Sequence, residues 1–257
     1  FALPRERSLW VTNWFNLNNI ATAHHLDPWS EPFWEMLGKY ARAIAEHRQN
    51  VALAPLSLVA ITRAAGGKLE FDFARFDRYA RLFMDAGAGE RLELGHTAHF
   101  GEGGWGSKEI VLNSVSARDA ATGKSVTLAP EEGLGPLLRA PEAHLRERGW
   151  LERSMIHIAD EPAAHNIESW RRASEFVHRF APGIRRIEAI ETIGFEGSLE
   201  VWVPKLNHIN VWYHHYRRAQ QEGAEMWFYT CCHPTGAYPN RFLDYPLIHT
   251  RELHWIN

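Results

Sequence analysis

Two adjacent carboxylates follow an apolar segment near the middle of the chain. Residues 155–159 are apolar apart from His157, and Asp160 and Glu161 come directly after them, before Pro162. In parallel α/β barrels, catalytic groups lie at such C-terminal strand ends. The same residues also suit the start of a helix, where acidic side chains and proline are favoured. The pattern alone leaves the catalytic and the capping interpretations open.

Neighbouring carboxyl groups repel each other when both are ionised, so one of the two should hold its proton more tightly. A carboxyl that keeps its proton near neutral pH can act as a general acid. A retaining glycosidase that uses its own nucleophile needs a second carboxylate about 5–5.5 Å from the acid. Among the other predicted strand ends, Glu191 alone supplies one, while Glu102 and Glu109 lie in a long loop. The nucleophile is therefore one of these residues or a 2-acetamido group of the substrate itself. Enzymes that use the acetamido group hold it with an Asp beside the acid Glu, and the adjacent Asp160–Glu161 pair fits that arrangement.

Short apolar runs alternate with amphipathic segments along the chain, a pattern typical of βαβ units with a parallel sheet. We predict strands at residues 9–13, 51–56, 91–95, 154–159, 186–191, 200–203 and 225–230. We predict helices at 32–47, 72–86, 164–180 and 207–222, and a hairpin of 108–115 with 124–128 over the mouth. The pattern indicates a (β/α)8 TIM-like barrel truncated before its eighth strand, with 247–256 as the helix preceding that strand. Residues 1–257 then form one catalytic barrel domain, which we expect to be a fragment of a longer chain.

The composition excludes several classes of partner. The chain has 257 residues with 28 Lys and Arg against 31 Asp and Glu, and no basic block that would attract nucleic acid. No apolar stretch approaches the roughly 20 residues of a membrane-spanning helix. Cys231 and Cys232 are adjacent, so they cannot form a disulfide scaffold, and we predict free thiols. No His-Glu-x-x-His run or phosphate-binding loop occurs, so we predict neither a metal nor a cofactor.

Three segments carry a resemblance to a known family. The run Ile158-Ala159-Asp160-Glu161-Pro162, the run Trp202-Val203-Pro204 and the segment from Trp227 to Gly236 resemble the catalytic domain of glycoside hydrolase family 123 and its relatives. The resemblance covers nearly the whole chain. It implies a barrel domain, preceded in the full-length protein by a β-sandwich domain. It also implies a secreted or periplasmic setting. It also implies exo-acting β-N-acetylgalactosaminidase activity by substrate assistance, on a carbohydrate substrate.

The resemblance assigns a role to each member of the adjacent pair. Asp160 is expected to orient and stabilise the acetamido group, and Glu161 is expected to be the general acid and base. The resemblance to the family supports the class of reaction more strongly than it supports the identity of the sugar. A glycosidase of other sugar specificity with Glu191 or a loop carboxylate as nucleophile is one alternative, and a carbohydrate-binding barrel without turnover is another.

The 11 Trp, 7 Tyr and 13 Phe supply candidates for contacting a sugar. Each aromatic has core packing as its alternative. Trp227 and Tyr229 share one strand parity, so both should face the same side of the sheet. The predicted substrate-binding residues are Trp202 and Trp227 for stacking, Tyr229 for a hydrogen bond to the acetamido oxygen, and Tyr238 and Asn240 for sugar hydroxyls. Asn13, His96 and Asn207 lie at other predicted strand ends.

Overall fold

The computed structural model describes residues 8–253 and 255. The chain divides into two compact units, one formed by Phe1–Gly95 with Ser114–Met155 and the other by His96–Asn113 with Ile156–Asn257. The fold is mixed α/β with a mainly parallel sheet. Among the described helices, none has the length and apolarity needed to cross a membrane.

Twelve strands and eight α-helices are present in the described part of the chain. The strands are β1 Val51–Leu53, β2 Ala60–Arg63, β3 Leu69–Asp72, β4 Arg91–His96, β5 Ala98–Phe100, β6 Ile110–Leu112, β7 Val115–Asp119, β8 Ser125–Leu128, β9 Ser154–His157, β10 Arg185–Ile190, β11 Val201–Pro204 and β12 Glu225–Met226. The helices are α1 Leu17–Ala23, α2 Glu31–Glu46, α3 Ala74–Ala86, α4 Leu134–Glu147, α5 Ile167–Phe180, α6 His208–Val211, α7 Tyr213–Gln221 and α8 Leu247–Glu252.

The first unit combines a parallel strand pair with a small mixed sheet. Strand β1 runs parallel to β4, with Val51 opposite Arg91, and the smaller sheet has the order β3-β2-β7-β8. Helix α2 begins where the Ser30 side chain accepts a hydrogen bond from the Phe33 amide, an N-cap that satisfies one free helix donor. Its residues Phe33, Trp34, Leu37 and Ala41 are buried at helical spacing, so this face of α2 belongs to the core.

The second unit carries the strands that position the carboxylate pair. Strands β9, β10, β11 and β12 are neighbours in that order, and β10 to β12 run parallel, with Glu188 opposite Trp202. Helix α5 follows the pair and buries Trp170, Ala173 and Val177 along one face. Every residue of β11 is buried, as expected for a central strand of a parallel sheet covered on both faces. Strands β5 and β6 form a separate antiparallel pair.

Most predicted elements are present, with changed bounds. The strands predicted at 51–56, 91–95, 154–159, 186–191 and 200–203 correspond to β1, β4, β9, β10 and β11, and the helices predicted at 32–47, 72–86 and 164–180 to α2, α3 and α5. The strand predicted at 225–230 is reduced to β12, beyond which an isolated bridge joins Lys205 to Tyr229. The helix predicted at 207–222 is divided into α6 and α7 at Trp212.

One prediction of local structure was wrong and another was right only in part. The segment 9–13 is not a strand, because the Val11 amide donates to the side chain of Asn50 instead of a strand ladder. The predicted hairpin of 108–115 with 124–128 is shifted along the chain. Strand β8 pairs with β7, with Val115 opposite Leu128, whereas β6 pairs with β5. The sequence analysis also did not predict the antiparallel pair β2–β3 or helix α4.

The barrel itself stays a prediction. Among the described strands, no pairing closes the sheet into a barrel. The helix predicted at 247–256 is present as α8, while His254 and Ile256 lie outside the described residues.

Tight packing at the start of α4 yields a stability prediction. A Cβ atom on Gly133 would lie 2.8 Å from the Leu128 Cβ and 2.9 Å from the Val115 Cβ, too close for carbon atoms. Gly133→Ala should therefore lower the free energy of unfolding by about 1–3 kcal/mol, as overpacking does. Gly106→Ala is the matched control, because its added Cβ would meet no atom within 4 Å. Urea unfolding of both variants measures the difference, and equal stabilities would contradict the packing described.

Candidate active site

The backbone that presents the carboxylate pair is anchored by Glu188 of β10. The Oε2 atom of Glu188 accepts hydrogen bonds from the Ile158 amide at 3.1 Å and the Ala159 amide at 2.6 Å. The same oxygen accepts a hydrogen bond from the Trp170 indole at 3.0 Å. These bonds fix the two residues immediately before Asp160, so the end of β9 is tied to the interior of β10.

Glu161 has an unusual backbone conformation. Its φ of +52° lies in the left-handed region, which non-glycine residues seldom adopt. Directly after it, the Pro162 carbonyl accepts a hydrogen bond from the Glu191 amide at 3.0 Å, which ties this turn to the end of β10. Backbone strain of this kind is found preferentially at functional sites, where the surrounding structure holds it in place.

A tyrosine joins Glu161 to Glu191. The Tyr229 hydroxyl lies 2.7 Å from the Glu161 Oε1 and also within hydrogen-bond distance of the Glu191 Oε1. The tyrosine is held by the bridge to β11, in which its amide donates to the Pro204 carbonyl at 3.1 Å and its carbonyl accepts from the Leu206 amide at 3.0 Å. The structure thus brings together the predicted residues Glu161 and Tyr229 with the alternative nucleophile Glu191.

Glu191 also has cationic neighbours. The Lys205 ammonium lies 2.5 Å from the Glu191 Oε1, and the His208 Nε2 lies 3.7 Å from its Oε2. Both members of the Lys205–Glu191 pair are largely buried, with side-chain exposures of 13% and 9%. Burial lowers the pKa of His208, which favours its neutral form. The ammonium of Lys205 is therefore the main positive charge facing Glu191.

The phenol has only one hydrogen to serve two carboxyl groups. The Oε1 atoms of Glu161 and Glu191 are both placed to accept that hydrogen. The pKa of Tyr229 is strongly raised, first by burial and then by its hydrogen bonds to Glu191 and Glu161, so the phenol itself stays protonated.

The carboxyl group of Asp160 has a shifted pKa. Its pKa is raised to about 6, first by desolvation of the carboxyl group and then by the negative charges of Glu188 and Glu161. The residue nonetheless has exposed surface, so its carboxyl group borders solvent. The expectation that one of two adjacent carboxyl groups holds its proton more tightly therefore applies to Asp160.

The predicted sugar-binding residues do not all gather at the pair. Trp202 is 1% exposed, packs against Phe195 and Tyr216, and donates its indole hydrogen to the Leu199 carbonyl at 3.0 Å. A side chain buried in this way has no free face for a sugar, so Trp202 is part of the core.

The remaining predicted sugar-binding residues differ in their solvent exposure. Trp227 is partly exposed and donates to the Glu225 carboxylate at 2.7 Å, and Tyr238 is also partly exposed. Asn240 is 2% exposed, and its amide donates to the carbonyls of Cys231 and Pro234 at 3.1 and 3.0 Å. Asn240 therefore stabilises the loop after β12, and a hydrogen bond from it to a sugar would require those bonds to break.

The weaker strand-end candidates have separate environments. Asn13 belongs to the first unit, where its side chain donates to Gln49 at 3.1 Å. His96 lies near the buried carboxylate of Glu188, and Asn207 precedes α6. The cysteines are free thiols as predicted, and the Cys231 Sγ lies 3.9 Å from the Glu161 Oε1.

Glu188, Lys205 and His208 were not identified from the sequence as parts of the site. Glu188 could have been noticed as a single acid within the apolar strand Ile187–Ile190, since buried carboxylates are rare without a partner. Lys205 and His208 follow the end of β11, but their sequence neighbours give no sign that they face Glu191.

One group among the described residues has the composition of a metal site. The potential ligand atoms of His96, His157 and Glu188 all lie within 4.8 Å of one another. Imidazole and carboxylate are ordinary zinc ligands. However, Glu188 already accepts the three hydrogen bonds described above, which serve as its partners without an ion.

The comparisons agree on one family. The chain matches the family Glycoside hydrolase 123, catalytic domain, over residues 14–257. It also resembles a solved family 123 glycoside hydrolase from Clostridium perfringens, studied for glycolipid glycan hydrolysis, with a TM-score of 0.66 and 16% identity. The similarity covers 89% of this chain and 44% of that one, so this chain spans less than half of its structural relative. No match is found among curated proteins.

The raised pKa of Asp160 predicts a pH-dependent effect on stability. A carboxyl whose folded pKa lies near 6, above its unfolded value near 4, favours folding only while it is protonated. Its contribution is lost as the pH rises from about 4 through about 6. Asp160→Asn should therefore raise the free energy of unfolding by roughly 1 kcal/mol at pH 7.5, a value already reduced for solvent screening, and much less at pH 4.

Denaturant unfolding at both pH values tests this expectation. Asp244→Asn, at an exposed position of the same unit, is the control for loss of one acidic charge. A stabilisation that is equal at both pH values, or that the control reproduces, would contradict the raised pKa.

Proposed function

The chain belongs to the glycoside hydrolase 123 catalytic-domain family, and on that basis we propose that it is a retaining exo-glycosidase acting by substrate assistance. The proposed substrates are terminal 2-acetamido-2-deoxy-β-hexosides, with β-N-acetylgalactosaminides preferred. The observation that carries the proposal is the adjacent pair Asp160–Glu161 at the end of β9, with Glu161 bonded to Tyr229 and Asp160 in a desolvated, negatively charged setting.

The hydrogen bonds of Tyr229 support Glu161 as the general acid. The ammonium of Lys205 forms an ion pair with Glu191, which also accepts the phenol hydrogen. The phenol hydroxyl also lies 2.7 Å from the Glu161 Oε1, so Glu161 and Glu191 share one hydrogen-bonding neighbour. In the proposed reaction, Glu161 supplies the proton that the leaving oxygen receives.

The proposed reaction proceeds in two steps. In the first, the acetamido oxygen attacks the anomeric carbon, the glycosidic bond breaks, and Glu161 gives its proton to the departing oxygen. The resulting oxazolinium ion carries a positive charge beside the Asp160 carboxylate, which stabilises it. In the second, Glu161 takes a proton from water, whose oxygen attacks the anomeric carbon and restores the acetamido group.

The proposal includes the wider architecture of the family. The (β/α)8 barrel that the resemblance to family 123 implies is part of this proposal. A preceding β-sandwich domain, a secreted or periplasmic setting, and sugar contacts by Trp227 and Tyr238 belong to the same proposal. Tyr229 reaches the acetamido group only if its present hydrogen bonds change on substrate binding.

A second candidate function uses Glu191 as the nucleophile. Oxygens of Glu161 and Glu191 contact the same phenol, so they lie within about the 5–5.5 Å that a two-carboxylate retaining enzyme uses. Glu191 forms a buried ion pair with the ammonium of Lys205. A carbohydrate-binding domain without turnover is the third possibility, and it would bind sugars but hydrolyse none.

The source of the nucleophile separates these functions. We expect the full-length protein to hydrolyse a chromogenic 2-acetamido-β-galactoside about a thousandfold or more faster than its 2-hydroxy analogue, which lacks the attacking oxygen. Successive fluorination of the acetamido methyl group should slow the reaction progressively, because the amide oxygen becomes less nucleophilic. The gluco epimer tests sugar preference. Comparable rates for the 2-hydroxy and 2-acetamido substrates would favour Glu191, and the absence of turnover would favour the binding domain.

Mutation separates the two roles within the pair. Glu161→Gln should reduce kcat by about 100-fold or more for substrates with poor leaving groups and far less for activated aryl glycosides, because only the former need the proton. Asp160→Asn should slow both, because each requires the acetamido group to be oriented. Glu196→Gln, at an exposed position before β11, is the control. Equal losses on both substrate types for Glu161→Gln would contradict its role as acid.

A further inference from the structure

A tryptophan is exposed on the loop that joins β5 to β6. Trp105 is 51% exposed, and the residues around it in this loop are glycines and polar residues. Its ring meets the ring of His165 edge-on, with the ring centroids 5.7 Å apart. Single exposed apolar side chains are common on protein surfaces, so the meaning of this one depends on where the loop holds it.

Side-chain hydrogen bonds fasten this loop to the segment that follows the carboxylate pair. The His165 Nε2 lies 3.1 Å from the carbonyl oxygen of Trp105. The buried side chain of Asn166 donates to the Ser107 carbonyl at 3.2 Å and accepts a hydrogen bond from the Ala163 amide at 2.9 Å. Because Ala163 comes so soon after the pair, one asparagine ties the loop to the turn that presents the proposed general acid.

The strands on either side of the loop are bonded to the same part of the second unit. The Ala98 amide of β5 donates to the Ile158 carbonyl at 2.7 Å, just before the pair. The Ile110 amide of β6 donates to the Ser169 hydroxyl oxygen at 3.0 Å, in the helix after the pair. The hairpin of β5 and β6 therefore lies against the chain on both sides of the carboxylate pair, and the exposed tryptophan is fixed beside that segment.

The space around the indole is open. A Cβ atom added to Gly103, Gly104 or Gly106 would meet no atom within 4 Å, so a ring can approach the indole without meeting side chains of these neighbours. The indole offers a flat apolar face and an N–H donor, which match the apolar C–H groups and the hydroxyl oxygens of a hexose. A protein partner would need a contact patch of roughly 800 Å², which one indole among glycines does not supply.

We propose that Trp105 forms a binding site for the sugar of the leaving group, the hexose to which the terminal 2-acetamido sugar is attached. The inference rests on the proposed function and adds a preference for oligosaccharides over glycosides with small leaving groups. In that function the acetamido group of the terminal sugar lies at Asp160, and Glu161 protonates the leaving oxygen. The leaving sugar therefore begins at Glu161, and Trp105 is fastened to the segment that follows this residue.

The test compares two substrates of the full-length protein that share the terminal sugar. One is a disaccharide in which a 2-acetamido-β-galactosyl group is linked to galactose, and the other is the 2-acetamido-β-galactosyl azide, which contains no second sugar. Trp105→Ala should raise KM for the disaccharide by about tenfold and leave its kcat unchanged, because the lost contact is made equally in the ground state and the transition state. KM for the azide should not change.

Two further variants control for changes of structure. Trp105→Phe keeps a flat aromatic face and should restore most of the affinity for the disaccharide, which a disturbed loop would not. Val111→Ala removes another exposed apolar side chain from the same hairpin and should change neither KM. An unchanged KM for the disaccharide in Trp105→Ala overturns the inference. An equal rise of KM for both substrates also overturns it, because Trp105 would then serve the terminal sugar or the shape of the site.

A binding measurement without turnover separates the inference from the proposed function. For an analogue of the disaccharide with sulfur in place of the bridging oxygen, calorimetry should show a Kd that Trp105→Ala raises by about tenfold. The Kd of a monosaccharide thiazoline, which lacks the second sugar, should not change. A wild-type protein that hydrolyses neither substrate refutes the proposed function, and the calorimetric comparison then still decides the inference. A sulfur-linked disaccharide that binds wild type and variant equally, or binds neither, overturns it.

Discussion

The hydrogen bonds from Ile158 and Ala159 to the buried carboxylate of Glu188 are the interaction on which the site depends. Strand β9 ends at His157, and beyond it the Ile158 carbonyl accepts a hydrogen bond from the Ala98 amide at 2.7 Å. Glu188 holds the other side of this segment by accepting the amides of Ile158 and Ala159 from within β10. Removing the acceptor would leave buried N–H groups unpaired, at a cost of about 1–3 kcal/mol for each group.

A second constraint joins the last two strands of the second unit, β11 and β12, to Glu191. Tyr229 follows β12 and Lys205 follows β11, yet both contact Glu191 at the end of β10. The bridge between Lys205 and Tyr229 fixes their spacing at the backbone level. The order of the strands therefore positions both the Lys205–Glu191 ion pair and the phenol of Tyr229. The electrostatics of the site depend on the sheet as well as on individual residues.

The sequence was sufficient to predict the elements with strong periodicity and the location of the pair. Strands β9, β10 and β11 and helix α5 follow from apolar runs and helical spacing, and Asp160 and Glu161 follow from their place after such a run. The pairing of β6 with β5 could not be predicted, because a short strand pairs equally well by pattern with several partners. The burial of Trp202 and the role of Glu188 depend on which side chains meet across strands, and strand alternation alone does not specify this.

The left-handed backbone at Glu161 bears on how this sequence can change. Glycine adopts that conformation at little conformational cost, and asparagine does so more readily than glutamate. Selection for thermal stability alone, as in a screened library, would therefore enrich glycine at position 161 and discard the carboxyl group. A glutamate held there is explained by what its side chain does, since its backbone preference argues against it.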